Sequence, residues 1–275
     1  MKVEIINPEE VKNIYKNHGM FACTCYNTPD EHAEKVGKQC LKADGHTSGS
    51  RCEYIKFRLY DMDRGVAEQF MRHEIGVRYD EVDKYTYSDK IEIILDVNPC
   101  NIVKNMQSFR YVDKNEFKYT IPTNIKKSTK ALEKYNNLMS IIDDTRKEIR
   151  DILIEEQTKD REFSKEQIKK ITKQAVEDAN YVLPRATNLT LTIAFTPEAL
   201  IQFMWKRLCT RTQDMNRKFA IQMKNAVAEI NPTFAKELKP HCQHLLWCPE
   251  ENMSCGMKLT KKELEQQLKG VKNNA

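Results

Sequence analysis

The sequence has no run of about 18 apolar residues, the length that a membrane-spanning helix needs. Its first residues, MKVEIINPEEVKNIYK, carry charges where a secretory signal has an apolar stretch. Glycine and proline are also scarce, at 8 and 9 of 275 residues, which excludes collagen-like and low-complexity chains. We therefore expect a soluble, cytoplasmic protein with no membrane partner.

Neither sign of charge dominates, because 45 basic and 40 acidic side chains leave a net charge of only +5. This surplus is small and spread along the chain, so nucleic acid is not an expected partner. A few arginines would still suffice to bind a small anionic ligand. The length and the 40% hydrophobic content allow one large domain or two modest ones.

Nine cysteines form an odd set without an export signal, which indicates reduced thiols rather than a disulfide framework. Cys23 and Cys25 are interpreted as packing residues on one strand face. Candidate zinc ligands lie near the carboxyl terminus, but they include no Cys-x-x-Cys pair, so the spacing favours no metal. These candidates are Cys242, His244, Cys248 and Cys255.

Strand-like and helical patterns follow one another along the chain, which predicts an α+β fold. Leu189 to Phe195 alternates as a strand does, and Thr196-Pro197-Glu198 has the order of an N-cap, a first-turn proline and an early acid. We expect a single mixed domain with a central antiparallel-type sheet flanked by long helices. Further predicted elements are strands at 3–6 and 52–60, and helices at 8–16, after Thr28, at 65–73, at 129–181 with a break near 160–164, from 197 to about 211, at 214–230 and at 260–269.

Two short polar segments carry residues typical of binding sites. Gln69 to His73 ends a predicted helix and sets an arginine beside a histidine. Asn105 to Val112 supplies amide, hydroxyl and guanidinium donors in one stretch. Because arginine pairs bidentately with phosphate oxygens, the second segment suits a pyrimidine nucleotide or another polyanion. Taken alone, each segment also fits a structural role, as a capping pair or a polar loop.

Together, and in this order, the two segments resemble the signature of the flavin-dependent thymidylate synthases. That family carries Arg-His-Arg and then Ser-x-Asn-x-x-Ser-x-Arg-Tyr. About 26 extra residues, from 76 to 101, separate the two halves here. The matching residues are Arg72, His73, Asn105, Ser108, Arg110 and Tyr111.

The resemblance extends along nearly the whole chain. Gly45-His46-Thr47-Ser48 is similar to the family's flavin-contacting turn. The segment from Phe203 to Gln213 resembles a family helix, and in this match Arg207 occupies the position of the family's nucleotide-binding arginine. The resemblance implies one domain over residues 1–258 and a helical tail over 259–275. Within the domain it implies an insertion at about 76–101 and extended charged helices at about 129–181.

The resemblance implies FAD-dependent methylation of dUMP to dTMP, with methylenetetrahydrofolate as carbon donor and NADPH as reductant. Ser108 and Arg110 would contact the substrate as catalytic residues, and no nucleophilic cysteine is needed. Family sites form between subunits, so a homotetramer with shared active sites is implied. The implied flavin-binding residues are His46, Ser48, Arg72, His73, Asn105 and Gln202, and the implied substrate-binding residues are Gln69, Gln107, Ser108, Arg110 and Arg207.

Several positions depart from the family's pattern. Glu74 and Asn180 each replace an arginine, and Thr196-Pro197-Glu198 replaces an Asn-x-Arg. Arg185 is a candidate for the phosphate-binding role of the family arginine that Asn180 replaces. These changes leave open a flavin-dependent modification at C5 of another pyrimidine nucleotide, such as hydroxymethylation. A non-catalytic descendant that binds nucleotide or nucleic acid is a third alternative.

Two segments have no counterpart of similar length in the family. Residues 84–97 alternate and are predicted to form an extra strand or hairpin, which could act as a lid or pack outward. The charged helical stretch from Arg146 to Lys173 is predicted to project into solvent.

Overall fold

The computed structural model describes residues 1–42, 53–72, 102–109, 117–159 and 162–272. Within these residues, the strands form a four-stranded antiparallel sheet in the order β1-β2-β4-β3. Strands β1 and β3 are therefore its edges. The strands are β1 (Lys2–Ile5), β2 (Ile55–Asp63), β3 (Ile102–Met106) and β4 (Asn188–Phe195).

Helices make up most of the rest of the described chain, so the expected α+β class is confirmed. No helix in the described ranges is long and apolar enough to cross a membrane. Short 3₁₀ helices lie at Asp30–His32, Asn180–Val182 and Glu251–Met253. The α-helices are α1 (Pro8–Lys12), α2 (Ile14–Tyr26), α3 (Ala33–Cys40), α4 (Arg64–Met71), α5 (Thr123–Lys126), α6 (Thr129–Thr158), α7 (Lys165–Ala179), α8 (Pro197–Arg207), α9 (Asp214–Ile230), α10 (Pro232–Ala235), α11 (His241–Leu245) and α12 (Lys261–Lys272).

The chain divides into two compact units. The first unit contains Met1, Leu59–Phe70 and Asn105–Leu191, and so holds α4 except its last residue, together with the long helices α6 and α7. The second unit contains Lys2–Arg58, Met71–Lys104 and Thr192–Ala275.

The core of the first unit lies under the long helix α6. Phe117, Met139 and Leu183 are buried together, and the half-buried rings of Phe109 and Tyr135 pack against them. Both long helices begin at serine caps, because the Ser128 and Ser164 hydroxyls accept hydrogen bonds from main-chain N–H groups one turn on.

Aromatic contacts and close helix packing define the second unit. Phe195 packs edge-on against Phe57, at 6.3 Å between ring centroids, and lies 4.8 Å from Phe203. Helices α2 and α3 approach closely at two glycines. A Cβ added to Gly19 would lie 1.7 Å from the Ala33 carbonyl oxygen, and one added to Gly37 would lie 1.8 Å from that of Tyr15. Any larger residue at these positions would force the two helices apart.

Several sequence-based expectations are corrected. Cys23 and Cys25 lie in helix α2 rather than in a strand, and only Cys23 is buried. The helix expected over 8–16 breaks at Asn13. Thr28 is not an N-cap, since a 3₁₀ turn begins after Pro29. Helix α8 ends at Arg207, four residues earlier than expected. The strand or hairpin expected at 84–97 lies outside the described residues.

Candidate functional site

A hydrogen bond joins Met71 and Lys104, the residues that directly precede Arg72 and Asn105 of the two signature segments. Lys104, in strand β3, donates from Nζ to the main-chain carbonyl of Met71, the last residue of α4, at 2.7 Å. A lysine ammonium suits this position, because the last carbonyls of a helix lack partners within the helix and carry partial negative charge. Arg72 follows Met71 directly and is exposed, and Asn105 follows Lys104.

Side chains along the edge strand β3 alternate between an exposed face and a half-buried face. Val103, 51% exposed, and the exposed Asn105 lie on one face, and Lys104 and Met106 are half-buried on the other. Asn105 therefore presents its amide on the open face of an edge strand.

The pairing of β3 with β4 continues past the end of β3 through Gln107. Its main-chain N–H donates to the Thr190 carbonyl at 2.9 Å, and its side-chain Oε1 accepts from the Thr190 N–H at 3.1 Å. Gln107 thus satisfies both main-chain groups of Thr190. Ser108, next along the chain, is exposed.

Phe109 anchors this segment from its other end. Its ring packs against the core of the first unit, and the Arg64 guanidinium lies 5.7 Å from the ring centroid. Its main-chain carbonyl accepts a hydrogen bond of 2.7 Å from Nδ2 of Asn180, 71 residues away along the chain. Ser108 therefore lies between Gln107 and Phe109, each of which is held by hydrogen bonds to another part of the first unit.

Asn180 is itself held by a buried arginine that sequence reasoning missed. Nη1 of Arg146 donates to Oδ1 of Asn180 at 3.2 Å, and Nη2 of Arg146 donates to Asp143 at 3.0 Å. Arg146 is 0% exposed, so the expectation that the stretch projects into solvent from Arg146 onward is wrong at its first residue. The missed signal was spacing, because Arg146 follows Met139 and Ile142 on the same helical stripe.

Charge balance around Arg146 comes from Asp143. Nζ of Lys147 also donates to Asp143, at 2.7 Å. Burial opposes ionisation of Asp143, but the hydrogen bonds from Lys147 and Arg146 outweigh burial and hold the pKa of its carboxyl below the ordinary value. The buried guanidinium thus faces an ionised partner.

The amino-terminal end of α4 is fixed by Asp63. Its Oδ1 accepts from the Val66 N–H at 2.9 Å, and burial raises the pKa of the Asp63 carboxyl despite this bond. Arg185 lies nearby but is 72% exposed and 3.5 Å from Glu68. Gln69, two residues before the end of α4, is half-buried.

Helix α8, in the second unit, carries two further predicted residues. Nε2 of Gln202 lies 3.5 Å from Oε1 of Glu198, and the Arg207 guanidinium lies 5.7 Å from the Phe203 ring centroid. Burial lowers the pKa of Arg207. The helix begins as predicted, because the Thr196 hydroxyl accepts from the Ala199 N–H at 3.3 Å and Pro197 occupies the first turn.

The predicted site residues therefore fall into three groups. Gln69, Asn105, Gln107 and Ser108 belong to the first unit. Arg72, Gln202 and Arg207 belong to the second. Those outside the described residues are His46, Ser48, His73 and Arg110.

The candidate zinc ligands near the carboxyl terminus include Cys242 and Cys248. The pKa of the Cys242 thiol is raised by burial first and then by neighbouring thiols, including those of Cys248 and Cys209. The Trp205 ring stacks on that of His241, with 4.5 Å between centroids. Within the described ranges, no group of three or more His, Cys, Asp or Glu side chains has the geometry to hold a metal ion.

Comparison with known proteins decides the family. A family model described as thymidylate synthase complementing protein matches residues 12–233. The chain belongs to this family. The flavin-dependent thymidylate synthase of Clostridium tetani is 28% identical to it, over 82% of this chain and 80% of the relative. That of Pyrococcus abyssi is 30% identical, over 81% and 79%, and that of Nitratidesulfovibrio vulgaris is 25% identical, over 77% and 71%.

Membership of the thymidylate synthase complementing protein family confirms the resemblance drawn from the two signature segments. The match runs through both halves and across the residues between them. One family match therefore includes both signature segments.

Proposed function

We propose that this family member methylates dUMP at C5 to form dTMP, with FAD bound, methylenetetrahydrofolate as carbon donor and NADPH as reductant. The relatives named above are flavin-dependent thymidylate synthases that align with most of this chain. The observation that carries the proposal is the hydrogen bond of 2.7 Å from Lys104 to Met71, because it joins the starting points of both signature halves.

The donors on either side of this bond fit a flavin nucleotide. Arg72 offers an exposed guanidinium, and Asn105 offers an exposed amide on an edge strand. A diphosphate and a ring with carbonyl and imine acceptors need such donors. In our proposal Arg72, Asn105 and Gln202 hold FAD together with His46, Ser48 and His73. When bound, FAD supplies the hydride chemistry that the side chains of this protein cannot perform.

The remaining residues have substrate roles in the proposal. Ser108 offers its hydroxyl to the uracil ring from a segment fixed at Gln107 and Phe109. Arg110, two residues after Ser108, binds the nucleotide's phosphate or polarises the uracil carbonyl. Gln69 and Arg207 orient the nucleotide. Positioning of this kind lowers the barrier because the reacting atoms are held together before reaction. Gln107 contacts the nucleotide through its amide.

The proposed assembly is a homotetramer with shared active sites. The residues of the proposed active site are spread over several segments of the chain. In a closed symmetric oligomer, segments from different copies can combine into one site. Light scattering of the purified protein measures the number of copies. A monomer that forms dTMP at full rate would contradict shared sites.

The experiment that tests the function has two readouts. The absorbance spectrum of the purified protein should show bound flavin, and incubation with dUMP, methylenetetrahydrofolate and NADPH should yield dTMP by mass spectrometry. Ser108→Ala should lose most of this activity and keep its flavin. A colourless protein that takes up no FAD on reconstitution would overturn the proposal. A product heavier than dTMP by one oxygen would indicate hydroxymethylation instead.

A further inference from the structure

We infer that Arg146 is a positioning residue for the segment 107–109, acting through Asn180 on the main chain next to Ser108. The inference rests on the proposed function for its substrate readout, but the geometry that carries it lies wholly within the first unit. The three linked groups are the Arg146 guanidinium, the Asn180 side-chain amide and the Phe109 carbonyl.

The buried guanidinium is the fixed end of this chain of hydrogen bonds. Arg146 is 0% exposed, and its fork donates to both Asp143 and Asn180. A charge removed from water must keep its hydrogen-bond partners, so Arg146 holds both groups in place. Lys147 also donates to Asp143, which fixes the carboxylate from its other side.

Arg146 also decides which way the Asn180 amide points. Arginine can only donate, so it requires the amide oxygen of Asn180 on its own side. The amide nitrogen then faces the Phe109 carbonyl, which can only accept, and donates to it at 2.7 Å. The reversed amide would leave both neighbours facing a group of the wrong kind.

The consequence reaches the proposed substrate residues through the main chain. The Phe109 carbonyl belongs to the peptide that joins Phe109 to Arg110, and Ser108 lies one residue before it. The hydrogen bond from Asn180 therefore restrains the main chain at Phe109, directly after Ser108. Gln107 holds the segment at its other end through Thr190.

The decisive variant is Asn180→Asp. Its carboxylate can still accept from Arg146 and preserves the buried pair, but it has no donor for the Phe109 carbonyl. Arg146→Met removes the guanidinium at similar volume, and Arg146→Lys keeps the charge without the fork. Arg150→Ala is the matched control, because Arg150 lies one turn further along α6 and pairs with the exposed Asp151.

The measurements are hydrogen exchange of the amides of residues 107–109, flavin content, melting temperature and dUMP binding. Asn180→Asp should speed exchange in this segment and raise the dUMP Kd about tenfold, the loss expected for one hydrogen bond of about 1.4 kcal/mol. Flavin content and the exchange of strand β4 should stay as in the parent protein. Arg146→Met should change the exchange rate and the dUMP Kd as Asn180→Asp does. Arg146→Lys should give values between those of Arg146→Met and the parent, and Arg150→Ala should match the parent.

The outcomes separate this inference from the proposed function. If the parent protein binds no dUMP but Asn180→Asp still speeds hydrogen exchange in residues 107–109, the function fails and the positioning role stands. If exchange in this segment is unchanged in Asn180→Asp, the positioning role is overturned whatever the activity. If Arg146→Met does not fold, Asn180→Asp decides the matter, because it retains the buried ion pair.

Discussion

The ammonium group of Lys104 donates to the carbonyl oxygen of Met71 at 2.7 Å, so the middle of strand β3 is tied to the last residue of helix α4. The residues between these two points include the whole insertion at about 76–101. The bond therefore joins two residues that are 33 positions apart along the chain.

Lys104→Met should weaken flavin retention because it removes this link. We expect several-fold weaker FAD binding and a loss of about 1 kcal/mol in the free energy of unfolding, the size of one charge-assisted bond at a half-buried site. Lys104→Arg, which keeps a donor, should restore part of both. The matched control is Lys218→Met, because Lys218 pairs with Asp214 on an exposed face of α9. Equal flavin loss in both Met variants would refute the link.

Glu53 should make stability fall as the pH rises. Burial raises the pKa of Glu53 from 4.5 to about 7, and a side-chain hydrogen bond with Asn17 only partly offsets this. The folded protein thus keeps a proton that the unfolded chain releases above about pH 4.5, so the stabilising contribution is full at low pH and disappears as the pH rises through 7. The change is on the order of 2 kcal/mol after allowance for solvent screening.

Urea unfolding of the parent protein and of Glu53→Gln at pH 5 and pH 8 measures this effect. The variant should show a smaller loss of stability between the two pH values. Glu34→Gln is the control: a hydrogen bond from Lys38 lowers the pKa of Glu34, so its carboxyl, unlike that of Glu53, does not hold a proton in the folded protein that the unfolded chain releases. A parent protein that is equally stable at both pH values would contradict the assignment.

Local signals in the sequence predicted the elements that depend on neighbouring residues. Helix α9 runs from Asp214 to Ile230 as expected, and strand β4 covers the alternating stretch that ends at Phe195. The cap at Thr196 was predicted because its partner lies three residues away. Such contacts can be predicted because both partners lie within a few residues of each other in the sequence.

Contacts between distant residues could not be predicted in this way. Asn180 and Phe109 are 71 residues apart, and Lys104 and Met71 are 33 apart. Cys23 to Cys25 spans too few residues to distinguish a strand from a helix by periodicity. Arg146 is predicted to lie on a solvated helix because charged residues are rarely buried, and one of its two partners, Asn180, lies on another segment.

Thr196→Ala should lower the free energy of unfolding by about 1 kcal/mol. The Thr196 hydroxyl is buried and accepts from the Ala199 N–H, one of the amides at the start of α8 that no helical carbonyl can reach. Thr196→Ser keeps the acceptor and should stay within about 0.5 kcal/mol of the parent. Chemical denaturation of both variants tests the cap, and equal losses would mean that the threonine methyl group, not the hydroxyl, is what matters.

Gln107 combines a structural contact with a proposed substrate contact, and one substitution separates them. Its Oε1 accepts from the Thr190 N–H at 3.1 Å, so Gln107→Glu can keep this contact while removing the amide donor. We expect Gln107→Glu to raise the KM for dUMP several-fold with a melting temperature near that of the parent. Gln107→Ala should lower the melting temperature and raise KM, because it removes both contacts. If Gln107→Glu leaves KM unchanged, the side chain serves only to continue the pairing with β4, and recognition of the nucleotide must come from its neighbours Ser108 and Arg110.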